Sequence, residues 1–281
     1  MVRSLAGGKK PTYMLHMILI GERMGLIALL AAGLIIISCD HGVFAATAFG
    51  GRYLFTAHLH TAGGSSSAPF VEAGTLTAAG GAFVLTATFN NAPLAPIISP
   101  NVQESGTYKL DSRGFGTMST VSGTDAFAQN ATFYCVADGS YCTIESAVEG
   151  HAWQGRMWRD DSPRAATDAA TLGGAYIFAS DAAQNTFTES GIIEFDGIGK
   201  SDLQSTFNST FPGSRLEPGK IWACGEYSMG TNAAGHLTQW NCRDRQIVDT
   251  MAIYCFFNGS RCLLVPDETE TALWIAEMQR R

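Results

Sequence analysis

From residue 50 onward the chain alternates apolar and polar positions in short runs. Y-L-F-T-A-H-L-H (53–60), A-F-V-L-T-A-T-F (82–89) and A-T-F-Y-C-V-A (131–137) all follow a period of two, and Gly, Asn, Asp and Ser separate them. A strand has that period, because successive side chains leave opposite faces of a sheet. No convincing amphipathic helix follows residue 45. The pattern predicts an all-β protein whose six to eight antiparallel strands per unit close into a small barrel or a two-sheet sandwich, since open sheet edges invite association. Tyr53, Phe55 and Leu59 share one face of the first strand, which is the predicted core face.

The runs occur twice. G-G-R-Y-L-F (50–55) returns as G-G-A-Y-I-F (173–178), and F-V-E-A-G-T-L (70–76) as F-T-E-S-G-I-I (187–193). Gly106, Tyr108 and Gly116 correspond to Gly225, Tyr227 and Gly235, and A-W-Q-G-R-M (152–157) to L-W-I-A-E-M (273–278). The matches keep one order and their offsets drift only from 117 to 123 residues, which is the mark of an internal duplication. The expected organisation is a leader (1–38), a short tether (39–49), a first β domain (50–159), a polar linker (160–172) and a second β domain (173–281).

Cysteines sharpen this picture. Y-C-V-A-D-G-S-Y-C (134–142) and Y-C-F-F-N-G-S-R-C (254–262) place Asp-Gly and Asn-Gly, strong hairpin-turn pairs, midway between cysteines. Counting outward from a two-residue turn sets Cys135 opposite Cys142 and Cys255 opposite Cys262. Opposed Cα atoms in an antiparallel ladder lie about 4.5–5.5 Å apart, within reach of a disulfide. Folding the intervening stretch about Ala233 sets Cys224 opposite Cys242 as a third pair. Three paired bridges imply an oxidising compartment. Zinc is the rival reading, but its ligand pairs usually sit closer in sequence.

The seventh cysteine, Cys39, ends an apolar run, Met24 to Ser38, that follows Arg23 and precedes Asp40-His41-Gly42. Such a run reads as a secretion signal, with Met14, Met17 or Met24 as alternative starts, rather than as a membrane span or buried helix. The tetrad I-I-S-C (36–39) resembles the lipobox of bacterial lipoproteins. That resemblance implies cleavage before Cys39, lipid on its sulfur, and a protein anchored to a membrane of the bacterial cell envelope. Ala46-Thr47-Ala48 offers an ordinary cleavage site instead, which would leave a secreted or periplasmic chain. The G-x-Y-x-F, E-x-G and G-x-Y spacing of both repeats resembles uncharacterised repeat domains of secreted bacterial proteins. Their calycin-like or allene-oxide-cyclase-like barrel is the fold this implies, and no activity comes with it.

Composition narrows the partners. The formal charge is −7, and loss of residues 1–38, which carry Arg3, Lys9, Lys10 and Arg23 against Glu22, leaves about −10. With no basic stripe, nucleic acid is not an expected partner. His58 and His60 share a strand face in a spacing that metal sites use, but the second copy has Asp181 and Ala183 there, so exposed strand histidines are the simpler reading. No G-x-S-x-G elbow occurs. Glu72 and Glu189 occupy equivalent positions and are read as part of the strand pattern, Asp160 and Asp161 as solvated linker charge, and F-D-G-I-G-K (195–200) as a turn. Among five tryptophans, Trp153 and Trp274 are equivalent and belong to the core, whereas Trp158, Trp222 and Trp240 are unique to one copy and are candidates for a binding surface. The expectation is a non-enzymatic protein without cofactor that binds an unknown protein or glycan or has a structural role. A small apolar ligand inside a barrel is the alternative, and an enzyme the third choice.

Overall fold

A computed structural model describes residues 49–59, 69–91, 98–122, 130–148, 152–182, 187–209, 217–267 and 273–281; Cys39 and His60 lie outside them. The first eight strands are β1 (Gly51–Leu59), β2 (Phe70–Ala79), β3 (Ala82–Asn90), β4 (Ile98–Leu110), β5 (Phe115–Ser122), β6 (Ala131–Cys135), β7 (Tyr141–Ser146) and β8 (Gln154–Asp160). Each pairs antiparallel with the next, and β8 returns to β1 to close a barrel. The second eight are β9 (Gly174–Ala182), β10 (Phe187–Phe195), β11 (Lys200–Ser209), β12 (Glu217–Met229), β13 (Ala234–Asn241), β14 (Ile247–Cys255), β15 (Arg261–Pro266) and β16 (Trp274–Arg280). They close in the same way, β16 onto β9. The architecture is all-β, two barrels and no sandwich.

The repeated sequence elements build one closed end per barrel. Tyr53, Phe55 and Leu59 face the first lumen, with Phe83, Phe133 and Met157, all nearly or fully buried. The Tyr53 hydroxyl donates to the Gly139 carbonyl at 3.1 Å, and the equivalent Tyr176 to Gly259 at 2.7 Å, so the tyrosine of each G-x-Y-x-F motif ties down the turn between the paired cysteines. The second repeated tyrosine fastens a plug. Tyr108 donates to the Phe49 carbonyl and Tyr227 to that of Ala169, both at 2.9 Å. Phe49 stacks on Tyr53 with centroids 4.8 Å apart, and in the second barrel a 3₁₀ turn, Ala169–Leu172, buries Leu172. The motif glycines make room for rings. A Cβ on Gly106 would meet the Phe83 ring at 2.6 Å, and one on Gly116 the Phe133 ring at 2.1 Å.

Three disulfides are present: Cys135–Cys142, Cys224–Cys242 and Cys255–Cys262. The first and third join residues directly opposed in the ladder. Their turns are wider than the two-residue form expected. Val136 N–H donates to the Tyr141 carbonyl and Gly139 N–H to that of Val136, leaving a four-residue loop in which Gly139 takes the positive φ of 70°. Widening by two residues preserves register, so the cysteines still face each other. The middle bridge departs from the reading. Its hairpin centres on Asn232, which sets Cys224 opposite Trp240 and makes the link to Cys242 diagonal.

The barrels share one compact unit, Val43–Arg281, and pack wall to wall. Leu54, Val71 and Ala73, outward on β1 and β2, meet Ala252, Tyr254, Leu263, Val265, Leu273 and Ile275 on the second barrel. At the edge of this apolar contact, Arg52 Nη1 donates to Asp160 Oδ2 and to the Cys255 carbonyl, both at 2.7 Å. The same carboxylate oxygen accepts the Phe257 N–H at 2.8 Å, and the guanidinium lies 4.5 Å from the centre of the Phe257 ring. Asp160 is therefore no solvated linker charge: its side chain is fully buried and joins the barrels. Burial lowers the Arg52 pKa, and the Asp160 charge opposes that shift. Asp161, by contrast, is exposed and pairs with Arg159 at 2.6 Å.

Candidate binding sites inside the barrels

Strand parity places polar side chains in both lumens. On β2, Phe70, Leu76 and Ala78 belong to the first core, so Glu72 points into the same space and is fully buried. On β4, Val102 and Tyr108 fix Glu104 inward, at 1% exposure. Glu72 and Glu189 are thus lumen groups, and the strand-pattern reading of them is corrected. The signal was available in the sequence: Glu72 shares the parity of Phe70 and Leu76.

In the second barrel Glu189 has the parity of Phe187 and Ile193. Its Oε1 accepts a hydrogen bond from Ser205 Oγ, a side chain at 1% exposure. Burial pushes the Glu189 carboxyl above the ordinary carboxylate range, and the serine bond draws it partly back. Ser180 Oγ holds the backbone beneath it, accepting from Glu189 N–H at 2.9 Å and donating to the Glu189 carbonyl at 3.1 Å. Gln239 lies inward with Leu237 and is 5% exposed, and among the described residues its Nε2 has no hydrogen-bond partner. An unsatisfied buried donor costs about 1–3 kcal/mol. Phe178, Phe187, Leu203, Met251 and Trp274 supply apolar walls. An eight-stranded barrel has a bore of the width that side chains alone fill or that one small ligand occupies.

The ladders make the lumens comparable position by position. Gly74 pairs with Ala87 where Gly191 pairs with Ser205; Leu85 with Glu104 where Leu203 pairs with Ala223; Gly106 with Thr120 where Gly225 pairs with Gln239. The first lumen therefore presents two carboxyl groups and the Thr120 hydroxyl, and the second a carboxyl, the Ser201 and Ser205 hydroxyls and an amide.

Outside the lumens, a groove at the junction contains Thr88, Ser228, Asn232, His236, Tyr254 and Asp267. His236 Nδ1 and Asp267 Oδ2 are 2.7 Å apart, and the Tyr254 and Thr88 hydroxyls bond across the barrels at 2.8 Å. Burial pushes the Tyr254 phenol up to about 12. No local motif announced this cluster, since its members come from four strands and two loops.

The sequence candidates are dispersed. His58 sits on the outer wall, its Nε2 3.4 Å from Gln154 Nε2. Trp158 is half-buried at the barrel junction under the Arg261 guanidinium, 5.0 Å away, and does not belong with the other two tryptophans. Trp222, 64% exposed, and Trp240, half-buried, share the outer wall of β12 and β13 around the diagonal disulfide. F-D-G-I-G-K is a turn, with Asp196 Oδ1 accepting the N–H groups of Ile198, Gly199 and Lys200.

No family model matches the chain, and no curated protein matches it. Among solved structures, it is similar to a protein of unknown function from the DUF3598 family of Nostoc punctiforme PCC 73102. The identity is 11%, the match covers 83% of this chain and 96% of that one, and the TM-score is 0.24. The structure of CghA matches at 7% identity over 82% of this chain and 88% of that one, TM-score 0.25, and CghA with Sch210972 at 8% identity over the same shares, TM-score 0.21. Similarity at this level carries no argument about this chain.

Proposed function

We propose that this protein is a non-enzymatic carrier or sensor whose second barrel binds a small apolar molecule bearing one oxygen acceptor. The observation that carries this reading is the Gln239 amide, buried in an apolar lumen with an unused donor, in the barrel that also holds the Glu189–Ser205 pair. A carbonyl, ether or hydroxyl oxygen satisfies that donor. Glu189, when protonated, supplies a second donor without placing a charge beside the ligand's apolar body. Titration with a series of medium-chain methyl ketones, followed by calorimetry, tests the reading. Gln239→Leu, close in volume and free of the orphaned donor, should keep the fold and lower ketone affinity at least tenfold while leaving the matching alkanes unaffected. Equal ketone binding by Gln239→Leu, or no binding by the native protein, overturns it.

The setting we infer for this activity is the bacterial cell envelope, with lipid on Cys39. Three disulfides are compatible with export, and the I-I-S-C tetrad supports the anchor. Intact mass of the native protein should give an acylated chain beginning at Cys39; an unprocessed chain refutes the placement.

A further inference from the structure

One of the three disulfides differs from the other two in place and surroundings. Cys135–Cys142 and Cys255–Cys262 are equivalent, sit at the closed ends, and bury Cys142, Cys255 and Cys262 completely. Cys224–Cys242 belongs to the second barrel alone and lies on its outer wall, Cys242 exposed and Cys224 half-buried. Beside it on β11, in register with Cys224, is Asp202. One Asp202 carboxylate oxygen and the two sulfurs lie within 4.8 Å of one another. Among the described residues Asp202 makes no hydrogen bond or ion pair that would hold it elsewhere. The first barrel has Val84 and Ser105 paired at the corresponding ladder position, so the trio is an addition to the duplicated plan rather than part of it.

We propose that reduction of Cys224–Cys242 opens a divalent-metal site formed by the two thiolates and the Asp202 carboxylate. A dithiol reductant supplies two electrons: the sulfur–sulfur bond breaks, two thiols form, and the reductant leaves as its own disulfide. A zinc ion then displaces the two thiol protons and takes three protein ligands, with its fourth position open to water. Exposure of Cys242 gives the reductant access to this bridge, whereas each end bridge has at least one fully buried cysteine, Cys142 in one and both Cys255 and Cys262 in the other. Two strands and one turn already hold the donor atoms close, so the site needs side-chain rotation rather than refolding. The oxidised protein has no thiolate to offer, and metal uptake therefore reports the redox state of the compartment.

The test is graded reduction of the whole folded protein with dithiothreitol, removal of the reductant, and titration with Co²⁺ and Zn²⁺ alone. At the lowest effective reductant concentration the chain should gain two protons by intact mass, keep its far-ultraviolet dichroism, and bind one metal with a sulfur-to-cobalt charge-transfer band. The oxidised protein should bind none. Asp202→Asn should keep the band but weaken zinc at least tenfold, and Cys242→Ser should abolish it. Opening of all three bridges together, no cobalt band in the singly reduced protein, or equal zinc affinity in Asp202→Asn overturns the proposal.

Discussion

The two barrels share their closed ends and differ in their lumens. At the closed end each copy keeps a tyrosine hydroxyl on a turn carbonyl, a second tyrosine on the plug, and a cross-strand disulfide. In the lumen, one carboxyl position is kept, Glu72 and Glu189, but its neighbours have been exchanged: Ala87 for Ser205, Glu104 for Ala223, Thr120 for Gln239. Closing a short barrel against water has few solutions. What a lumen presents once it is closed is free to change, and that is where the copies differ.

The comparison can be broken at graded strengths. The strongest effect belongs to the joint. Arg52→Ala strands the buried Asp160 charge and should cost about 3–5 kcal/mol, seen in calorimetry as a lowered and split transition. Arg156→Ala, which breaks the exposed cross-barrel pair with Glu277, should cost less than about 1 kcal/mol. Next come the end bridges. Replacing Cys135 and Cys142 together by serine, or Cys255 and Cys262, should cost about 2–3 kcal/mol in either barrel by denaturant melts, and a clear inequality would show that the closed ends are not equivalent. Tyr53→Phe should cost about 1 kcal/mol. Tyr176→Phe should cost a similar amount: Arg280 also donates to its hydroxyl, at 2.8 Å, as Gly50 N–H and Arg159 do to that of Tyr53. The smallest effect is the pH dependence of Glu189. Its folded pKa is raised, so the folded chain holds a proton that the unfolded chain has already lost above the ordinary glutamate range. Stability should therefore fall as pH rises through that window and be unaffected below it. Glu189→Gln should flatten this limb of a melting-temperature profile.

Much of this was legible in the chain. Period two located strands, and the repeated Gly and Tyr positions marked the closed ends before their bonding was known. The long-range consequences were harder to read. Asp160 looked like linker charge because nothing local predicts that Arg52, 108 residues earlier, lies beside it. The Cys224–Cys242 pairing was legible but its diagonal geometry was not, because a turn centred one residue earlier, on Asn232, shifts the register by two. The junction did leave a trace: Y-L-F (53–55), C-L-L-V (262–265) and L-W-I (273–275) are apolar on both strand faces, which a wall exposed to water on its outer side would not need.

That junction joins unlike walls, and geometry of this kind does not close on itself. A contact between β1–β2 of one unit and β14–β16 of the next can be repeated head to tail, adding barrel after barrel into a filament. The equivalent positions on the two outward walls carry different side chains. Where the contact uses Val71 and Ala73, the second barrel carries Thr188 and Ser190; where it uses Leu263, Val265 and Ile275, the first carries Thr143, Glu145 and Gln154, all of them exposed. At the positions equivalent to Leu54 and Tyr254, Ile177 and Tyr134 keep apolar bulk, 56% and 53% exposed. The outer walls that face away from the junction thus lack most of the apolar side chains that join these two barrels.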